Sequence, residues 1–233
     1  MDAVPRLSIV IPVLNEADGI GGRLTVLQPL RAAGAEIVLA DGGSTDGTCD
    51  LVAGLADRII AAPRGRGSQM NVGAEQARGD ILLFLHADTE LPDGALTAIE
   101  VAVAEGAVWG RFDVRIVGAS PLLPVVATLM NWRSRLTGIA TGDQAIFVTR
   151  AAFARAGGFP DIPLMEDIAF STAMRRIAHP ACLAVRVATS GRRWEKHGVW
   201  RTIAMMWWLR LRFWLGVSPQ TLAREYGYVP RND

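Results

Sequence analysis

The N-terminal part of the sequence alternates short apolar runs with segments of helical spacing, and this alternation constrains the fold more than any other feature. Residues 7–12, 36–41, 58–62 and 81–85 predict β-strands, and the last run is apolar throughout, as is typical of a strand buried on both faces. Hydrophobic residues with helical spacing between Ile20 and Leu27, at 48–56 and at 69–77 predict the intervening helices. The alternation favours an α/β fold with a parallel sheet and right-handed crossovers.

Polar residues follow three of these predicted strands. Asn15 and Glu16 follow the first strand, residues 41–47 end the second, and His86-Ala87-Asp88 come directly after the fourth. Ligands of open parallel sheets bind outside the carboxyl ends of the strands. We therefore expect the three polar clusters to meet in one crevice.

The cluster at 41–48 is a glycine-containing turn between a strand and a helix. Gly42 and Gly43 allow close approach of a ligand, and Asp41 at the strand end could accept hydrogen bonds from a base or a ribose. Ser44 and Asp46 are equally well explained as helix N-caps. No Gly-x-Gly-x-x-Gly follows the first strand and no Walker lysine follows a glycine-rich loop, which disfavours hydride transfer and ATP hydrolysis.

Two further clusters carry groups suited to a charged ligand. In extended backbone His86 and Asp88 would point the same way, with Ala87 on the other face, and together they could hold a divalent ion that bridges a diphosphate. Arg64 and Arg66 lie before a predicted helix and suit bidentate contact with phosphate oxygens. A purely structural His-x-Asp and a solvated basic loop are the competing interpretations of these clusters.

Glu166 and Asp167 open a second kind of site, at the start of a helical pattern over 168–177. Acids in a first helical turn often complement the helix dipole, so the pair alone indicates little. As a site, one of the two could take a proton from an acceptor, which is the work of a general base.

Charge and cysteine content limit the partners and the compartment. The chain has 24 lysines and arginines against 23 acidic residues, so it carries no overall field that would gather nucleic acid, and we expect none as a partner. Cys49 and Cys182 lie far apart, and Met1–Arg6 shows no cleavable signal pattern. These features predict no disulfide framework and a cytoplasmic location.

Two apolar segments bear on membrane contact. Residues 116–132 carry no charge but contain Pro121 and Pro124, so we interpret them as buried or interfacial and not as a membrane span. In 200–217, tryptophans alternate with arginines at helical spacing. We interpret this helix first as one that closes the domain's own core, and peripheral contact with a membrane or a partner remains the alternative.

The order of these motifs resembles family 2 glycosyltransferases over about residues 7–180, with Arg78-Gly-Asp80, Pro92 and Gly157-Gly-Phe159 as further matching segments. The resemblance implies a GT-A fold, meaning a Rossmann-like, mostly parallel sheet flanked by helices, and a UDP-sugar or similar donor. It also implies transfer by a single displacement with inversion at the anomeric carbon, with Asp167 as the base. The residues expected around the nucleotide and its diphosphate are Pro12, Asn15, Glu16, Asp41, Gly43, Arg64, Arg66, His86, Ala87 and Asp88.

The sequence departs from the family pattern at two positions. His86 replaces the first acid of the Asp-x-Asp metal motif and leaves Asp88 as its last acid, while Gly42 replaces the second acid of Asp-Asp-Gly-Ser. One carboxylate and a neutral imidazole neutralise less charge than two carboxylates. We therefore expect Mg²⁺ or Mn²⁺ to be needed weakly or in part.

A narrower similarity, to small transferases of selenium or arsenic metabolism that include selenosugar synthases, is carried by 66–71, 141–145 and 190–194. It implies a selenophosphate acceptor, contacted by Asp143, Gln144, Arg192, Arg193 and Trp194. Arg192 and Arg193 could clamp such an anion or form a cation–π and salt-bridge feature at a helix start.

We expect a transferase domain at 1–195 and a helical C-terminal extension at 196–233 packed on it. Two other functions stay open at this stage. The His86 substitution suits a non-catalytic domain that binds nucleotide sugars, and the tryptophan-rich helix suits transfer to a polyprenyl phosphate or a sugar hydroxyl at a membrane surface. The sugar and the oligomeric state are not predicted.

Overall fold

A computed structural model of the chain describes residues 6–228. Residues 1–5 and 229–233 lie outside the described residues, and with them most of the Met1–Arg6 segment on which the absence of a signal pattern rests. The strands are β1 Leu7–Val13, β2 Glu36–Asp41, β3 Arg58–Ala61, β4 Ile81–Phe84, β5 Thr89–Glu90, β6 Trp109–Val117, β7 Ile146–Thr149 and β8 Ala181–Ser190. The helices are α1 Ile20–Ala32, α2 Thr48–Leu51, α3 Arg66–Gln76, α4 Ala95–Ala104, α5 Leu123–Thr137, α6 Arg150–Ala156, α7 Glu166–Arg175, α8 Arg192–His197, α9 Val199–Trp214 and α10 Pro219–Glu225.

The strands form one sheet in the order β3-β2-β1-β4-β7-β6-β8-β5. The four N-terminal strands of this order are parallel, whereas β7 runs antiparallel to both of its neighbours and β5 runs antiparallel to β8. β6 and β8 are again parallel to each other. The predicted α/β fold with a mostly parallel sheet flanked by helices is therefore confirmed.

Two hydrophobic layers cover the faces of the sheet because successive residues of a strand point to opposite sides. Ile9 and Ile11 of β1 pack in the layer formed with α1, α4 and α5. Val10 of the same strand packs in the layer formed with α3, α6 and α7. β4 is buried along its whole length, as its apolar sequence predicts.

Several predicted element boundaries differ from the structure. α2 ends at Leu51 and not at 56, since Gly54 adopts a φ of 88° that interrupts the helix. α3 begins at Arg66, so this arginine belongs to the first turn of the helix and not to the loop before it. Residues 86–88 form a turn closed by a 3.0 Å hydrogen bond from Thr89 N to the His86 carbonyl, instead of extended backbone.

The C-terminal helices pack on the loop before α7 through a small third cluster. Met165, Leu209 and Leu222 form its buried centre. The expected domain boundary between 195 and 196 falls inside α8, so a division of the chain there would cut a helix. No helix within residues 6–228 is both long and apolar enough to cross a membrane.

α9 packs on the domain with one face, as predicted for 200–217, but its tryptophans do not lie on that face. Of its residues, only Val199, Thr202 and Leu209 are buried, and its four tryptophans lie mostly in solvent. The exposed fractions are 73% for Trp200, 63% for Trp207, 57% for Trp208 and 81% for Trp214. Amphipathic spacing alone could not predict this orientation, because it does not say which face of the helix meets the protein.

Candidate functional site

A cavity of about 740 Å³ opens at the carboxyl ends of β1 and β4, between α5 on one side and α7 to α10 on the other. It brings together most of the residues that the sequence predicts for the site. Those lining it are Pro12, Glu16, Arg66, His86, Ala87, Asp88, Asp143, Glu166, Asp167, Arg192, Arg193 and Trp194. Two of the three predicted polar clusters, those after β1 and β4, thus share one crevice, whereas no residue of the 41–47 cluster lines it.

The loop after β1 is joined to the turn after β2 by hydrogen bonds. Asn15 N donates to Ser44 Oγ at 2.9 Å, and the Asn15 side-chain oxygen accepts from Thr45 N at 2.9 Å. Glu16 N donates to Thr48 Oγ1 at 2.9 Å. Asn15 has a φ of 53°, a conformation that asparagine tolerates better than most residues. The two loops are therefore held together before any ligand binds.

Asp41 occupies the predicted strand end but does not line the cavity. Its carboxylate accepts hydrogen bonds from Ser44 Oγ at 2.5 Å and from the amides of Gly43 and Ser44 at 3.1 Å. The Asp41 carboxylate thus stabilises its own turn, and its role as an acceptor for a base or ribose stays a prediction. Gly43, which follows it with a φ of 94°, is exposed and also outside the lining.

Three other predicted site residues lie outside the cavity lining as well. Gln144 is fully buried, and its side-chain oxygen accepts from Thr141 N at 3.2 Å in the capping box of the Gly142–Gln144 turn. It stabilises the loop that carries Asp143 and offers nothing to an acceptor. Arg64 is exposed to solvent, and Asn15 is turned toward the second loop.

His86, Asp88 and Asp143 form a cluster whose ligand atoms all lie within 4.8 Å of one another. The cluster offers two carboxylates, which suit Mg²⁺ and Mn²⁺, and one imidazole nitrogen, which suits a transition metal better than Mg²⁺. His86 Nδ1 lies 3.7 Å from Asp143 Oδ1. Gly142 makes this approach possible, because a side chain there would overlap the His86 ring. The residues present therefore fit a divalent ion.

Glu166 and Asp167 enter the cavity from the first turn of α7. The turn starts at Met165, whose φ of 71° is unusual for a non-glycine residue and aims the helix start at the site. Asp167 Oδ2 accepts a 2.9 Å hydrogen bond from Gly142 N, which fixes that carboxylate. Burial and the neighbouring Asp167 raise the pKa of Glu166 to about 7.

Arg66 lies among these acids, open to the cavity yet surrounded by protein. Burial alone would lower its pKa, but Glu166, Asp143 and Asp167 outweigh this and raise it. Burial raises the pKa of Asp143, but the neighbouring His86, whose Nδ1 lies 3.7 Å from Oδ1, together with Arg66 and Arg193, brings it below the ordinary value. The centre of the cavity is therefore a mixed array of charges.

Two lining residues, Arg133 and Tyr226, escape prediction from the sequence. Arg133 Nε and Nη2 are buried and have no hydrogen-bond partner among residues 6–228, and burial lowers the pKa of this arginine. Arg193 lies 4.3 Å from the ring centroid of Tyr226. The only signal for Arg133 is a charge directly after the apolar stretch 116–132, and Tyr226 has no local motif at all.

Comparison with known proteins assigns the chain to a family. Residues 8–154, more than half of the sequence, match the profile described as Glycosyl transferase family 2. The chain belongs to this family. The family resemblance and the expectation of a glycosyltransferase enzyme are thereby confirmed, whereas a selenosugar synthase is not singled out.

Three proteins similar to this chain differ in the activities that their names describe. A PGL/p-HBAD biosynthesis glycosyltransferase of Mycobacterium bovis is 38% identical over 96 residues, which are 38% of each chain, so this chain spans well under half of that relative. An undecaprenyl-phosphate 4-deoxy-4-formamido-L-arabinose transferase of Pseudomonas aeruginosa is 31% identical over 148 residues, 59% of this chain and 42% of that one. The glucosyl-3-phosphoglycerate synthase of Mycobacterium tuberculosis, solved with Mn²⁺, UDP and glucosyl-3-phosphoglycerate, shares the GT-A fold with a TM-score of 0.59 at 19% identity, covering 81% of this chain and 72% of that one.

Proposed function

We propose that this glycosyltransferase moves a sugar from a UDP-sugar to an acceptor that carries a phosphate-type anion, with inversion at the anomeric carbon. The observation that carries the proposal is the set of arginines at the cavity wall opposite the strand ends. Arg133 has two buried nitrogens without a partner within residues 6–228, and Arg192 and Arg193 line the same space. Buried guanidinium groups without partners are satisfied by an anion.

The donor would lie along the strand ends. Pro12 and Glu16 supply the wall next to β1, and Arg66 offers a positive charge to the diphosphate. His86, Asp88 and Asp143 would hold a divalent ion, which stabilises the negative charge of a leaving diphosphate when bound. UDP as the nucleotide is supported by the UDP bound in the glucosyl-3-phosphoglycerate synthase, whose fold this chain shares.

Selenophosphate is the acceptor we favour among phosphate-type anions. Its selenium would form a bond to the anomeric carbon while the bond from that carbon to the β-phosphate oxygen breaks, and UDP would leave with the electron pair. No proton has to be removed from such a nucleophile. If the acceptor were a hydroxyl, Asp167 would take its proton as the bond forms.

A lipid phosphate is the second candidate because it also presents a phosphate-type anion, carried on a lipid chain. The cavity wall formed by α5 and α9 is apolar, with Leu129, Met130, Met206 and Trp207 among its residues. A relative in Pseudomonas aeruginosa carries undecaprenyl phosphate in its name, which supports this source of phosphate without deciding it.

Mass spectrometry of products would test both candidates. Purified protein is offered several UDP-sugars with selenophosphate in one arm, with a polyprenyl phosphate in a second and with a neutral sugar that offers only hydroxyl groups in a third. A seleno-sugar in the first arm supports selenophosphate, and a glycosylated lipid in the second supports the lipid. Failure of every UDP-sugar to bind by calorimetry would overturn the donor assignment, and products with neutral hydroxyl acceptors alone would overturn the anionic acceptor.

Arg193→Ala tests the proposed anion contact at single-residue level. We expect the KM for the anionic acceptor to rise about tenfold, because a charged hydrogen bond is lost, with little change for the donor. Arg155→Ala is the matched control, since Arg155 is exposed on α6 and lies outside the cavity lining. An unchanged KM in Arg193→Ala would remove Arg193 from the acceptor site.

A further inference from the structure

The outer faces of α5 and α9 expose large apolar side chains next to the mouth of the cavity. On α5 these are Leu129, Trp132 and Leu136, with exposed fractions of 61%, 61% and 77%. On α9 they are the four tryptophans together with Leu211 and Leu215. Exposed apolar patches of this kind mark sites that contact another molecule or a membrane.

The arrangement on α9 is that of an interfacial helix. At about 100° per residue, the residues at 200, 204, 207, 208, 211, 214 and 215 fall within one outward-facing arc. Arg201 lies at one edge of this arc together with Arg212, which is paired with Glu225, and Arg210 lies at the other edge. Arginines at the edges of an apolar face can reach lipid headgroups while the tryptophans occupy the headgroup level.

Positive charge is concentrated in the C-terminal segment that contains α9. Residues 192–225 contain seven lysines and arginines against two glutamates, whereas the rest of the chain contains 17 against 21. α5 adds Arg133, whose Nε and Nη2 are buried, and Arg135, which is paired with Asp113 of β6 at 2.7 Å. A near-neutral chain thus presents a positive surface around its exposed tryptophans, which is complementary to anionic lipid headgroups.

The cavity opens within this surface. Leu129, Trp132 and Leu136 of α5 and Trp207 of α9 are both exposed and part of the cavity lining, so they form its rim. Trp200, Trp208 and Trp214 extend the apolar surface beyond the rim without lining the cavity. A surface that contacts the rim would therefore meet the entrance to the site.

We propose that the exposed faces of α5 and α9, which we call the tryptophan face, dock on an anionic membrane surface with the cavity mouth toward the lipid. A second copy of this chain fits less well, because a two-fold contact would bring the same positive edge residues against each other. It would also cover the cavity mouth. The inference goes beyond the proposed function and does not depend on which phosphate-type anion is the acceptor.

Vesicle sedimentation tests the proposal with the whole protein. Vesicles of phosphatidylcholine alone are compared with an equal mixture of phosphatidylcholine and phosphatidylglycerol. We expect binding to the mixed vesicles, weak binding to the neutral ones, and loss of binding at high salt. A blue shift of tryptophan fluorescence should accompany binding.

The double variant Trp208→Ser/Trp214→Ser removes part of the tryptophan face without touching the cavity lining. We expect its partition onto mixed vesicles to fall by at least about tenfold. The matched control Leu51→Ser/Val101→Ser removes similarly exposed apolar side chains from α2 and α4, and should bind as the unmodified protein does. Circular dichroism and thermal unfolding of both variants should match those of the unmodified protein, which shows that they fold; because neither measurement uses a UDP-sugar, the test stays separate from that of the proposed function.

Three results would overturn the proposal. One is absence of binding to mixed vesicles by the unmodified protein, and another is equal binding by the double variant. The third is a dimer in analytical ultracentrifugation that the double variant disrupts while vesicles have no effect, which would assign the tryptophan face to a second copy of the chain.

Discussion

The two sides of the cavity are built from different interactions. On the side of β1 and β2, loop amides and side chains pair with one another, as in the 2.9 Å bond from Asn15 N to Ser44 Oγ. Gln69 of α3 joins the ends of both strands by donating to Val13 O and Ala40 O at 2.8 Å. On the opposite side, Arg133 keeps two buried nitrogens without a partner among the described residues, and Arg193 rests on the ring of Tyr226.

The difference indicates how each side recognises its ligand. The loops after β1 and β2 are already hydrogen-bonded to each other, so the wall formed by Pro12 and Glu16, the strand-end side, can hold a nucleotide in a preformed shape at little cost in ordering. The opposite wall, which we call the arginine side, carries Arg133, Arg192 and Arg193. Their positive charge is incompletely paired, so a bound anion would supply the missing partner. Glu166, Asp167 and Arg66 lie between the two, where the sugar would be transferred.

The largest expected effect is at Asp167, on the boundary between the two sides. With a hydroxyl acceptor, Asp167→Asn should lose about 10² to 10⁴ in kcat, because the base that takes the proton is gone. With selenophosphate the loss should stay below about tenfold, since this anion needs no deprotonation. Steady-state kinetics with both acceptors measures the contrast.

Asparagine keeps an oxygen that can accept from Gly142 N, so the Asp167→Asn protein should fold and bind donor normally. An inactive Asp167→Asn enzyme with selenophosphate, combined with an unaffected Arg193→Ala enzyme, would contradict the anionic acceptor. The acceptor would then be a neutral hydroxyl, and the arginine side would not be an anion site.

Arg66 tests whether charge in the middle of the cavity serves the donor. Arg66→Ala should lower kcat by about 10² to 10³, since a preorganised positive charge facing the leaving diphosphate is removed. Arg64→Ala should change kcat by less than about twofold, because Arg64 is solvent-exposed and outside the cavity lining. Equal losses of kcat in Arg66→Ala and Arg64→Ala would contradict the placement of Arg66 in the cavity and of Arg64 outside it.

Glu166 tests whether the acids in the cavity cost stability. Its folded-state pKa of about 7 lies above the ordinary 4.5, so between these values the folded protein holds a proton that the unfolded chain releases. Stability associated with Glu166 is therefore present below about pH 4.5 and is lost as the pH rises through 7. Glu166→Gln has no carboxyl group to ionise, so its free energy of unfolding at about pH 8 should exceed that of the parent by up to about 3 kcal/mol. At about pH 5 this difference should be smaller.

Urea unfolding of the two proteins at both pH values measures this difference. A parent protein that gains stability relative to Glu166→Gln as the pH rises would show that the Glu166 carboxylate is stabilised in the fold. In that case Arg66 would neutralise it fully, and the centre of the cavity would be as well paired as the strand-end side.

Much of the strand-end side could be predicted from the sequence. β2 is predicted at 36–41 and observed at Glu36–Asp41, because an apolar run that ends in a polar turn is a strong local signal. Since parallel strands place their carboxyl ends at one edge, the presence of Glu16 and of His86-Ala87-Asp88 in one cavity followed from local patterns, whereas the predicted cluster at 41–47 lies outside the cavity lining. The hydrogen bonds that the Asp41 carboxylate accepts were not predicted from these patterns, because its partners lie within its own turn.

The arginine side was much harder to predict. Its wall depends on where α5 and α9 pack, and periodicity does not say which face of α9 is buried. Asp143 meets His86 only because β7 lies beside β4, an antiparallel pairing with no local signature. Arg133 is placed by its helix, which Asn131 fixes to β6 through 2.8 Å and 3.0 Å hydrogen bonds to Val114.

The smallest expected effect concerns the metal, which would join the two sides through Asp143. The cluster has two carboxylates, but Asp143 already faces the positive charges of Arg66 and Arg193, so less of its charge is available to an ion. Arg66 can also neutralise part of the leaving diphosphate. We therefore expect EDTA to slow transfer by less than about tenfold, with recovery on addition of Mn²⁺ or Mg²⁺.

Asp143→Asn sharpens the metal test. If Asp143 is a ligand, the Mn²⁺ concentration for half-maximal stimulation should rise by about tenfold, because one anionic ligand becomes neutral while His86 and Asp88 remain. Asp161→Asn is the control, since this carboxylate accepts from Ser68 Oγ at 2.5 Å and lies outside the cavity lining. Complete and reversible loss of activity under EDTA would contradict the expectation, because Arg66 would then be unable to carry the charge of the diphosphate without the ion.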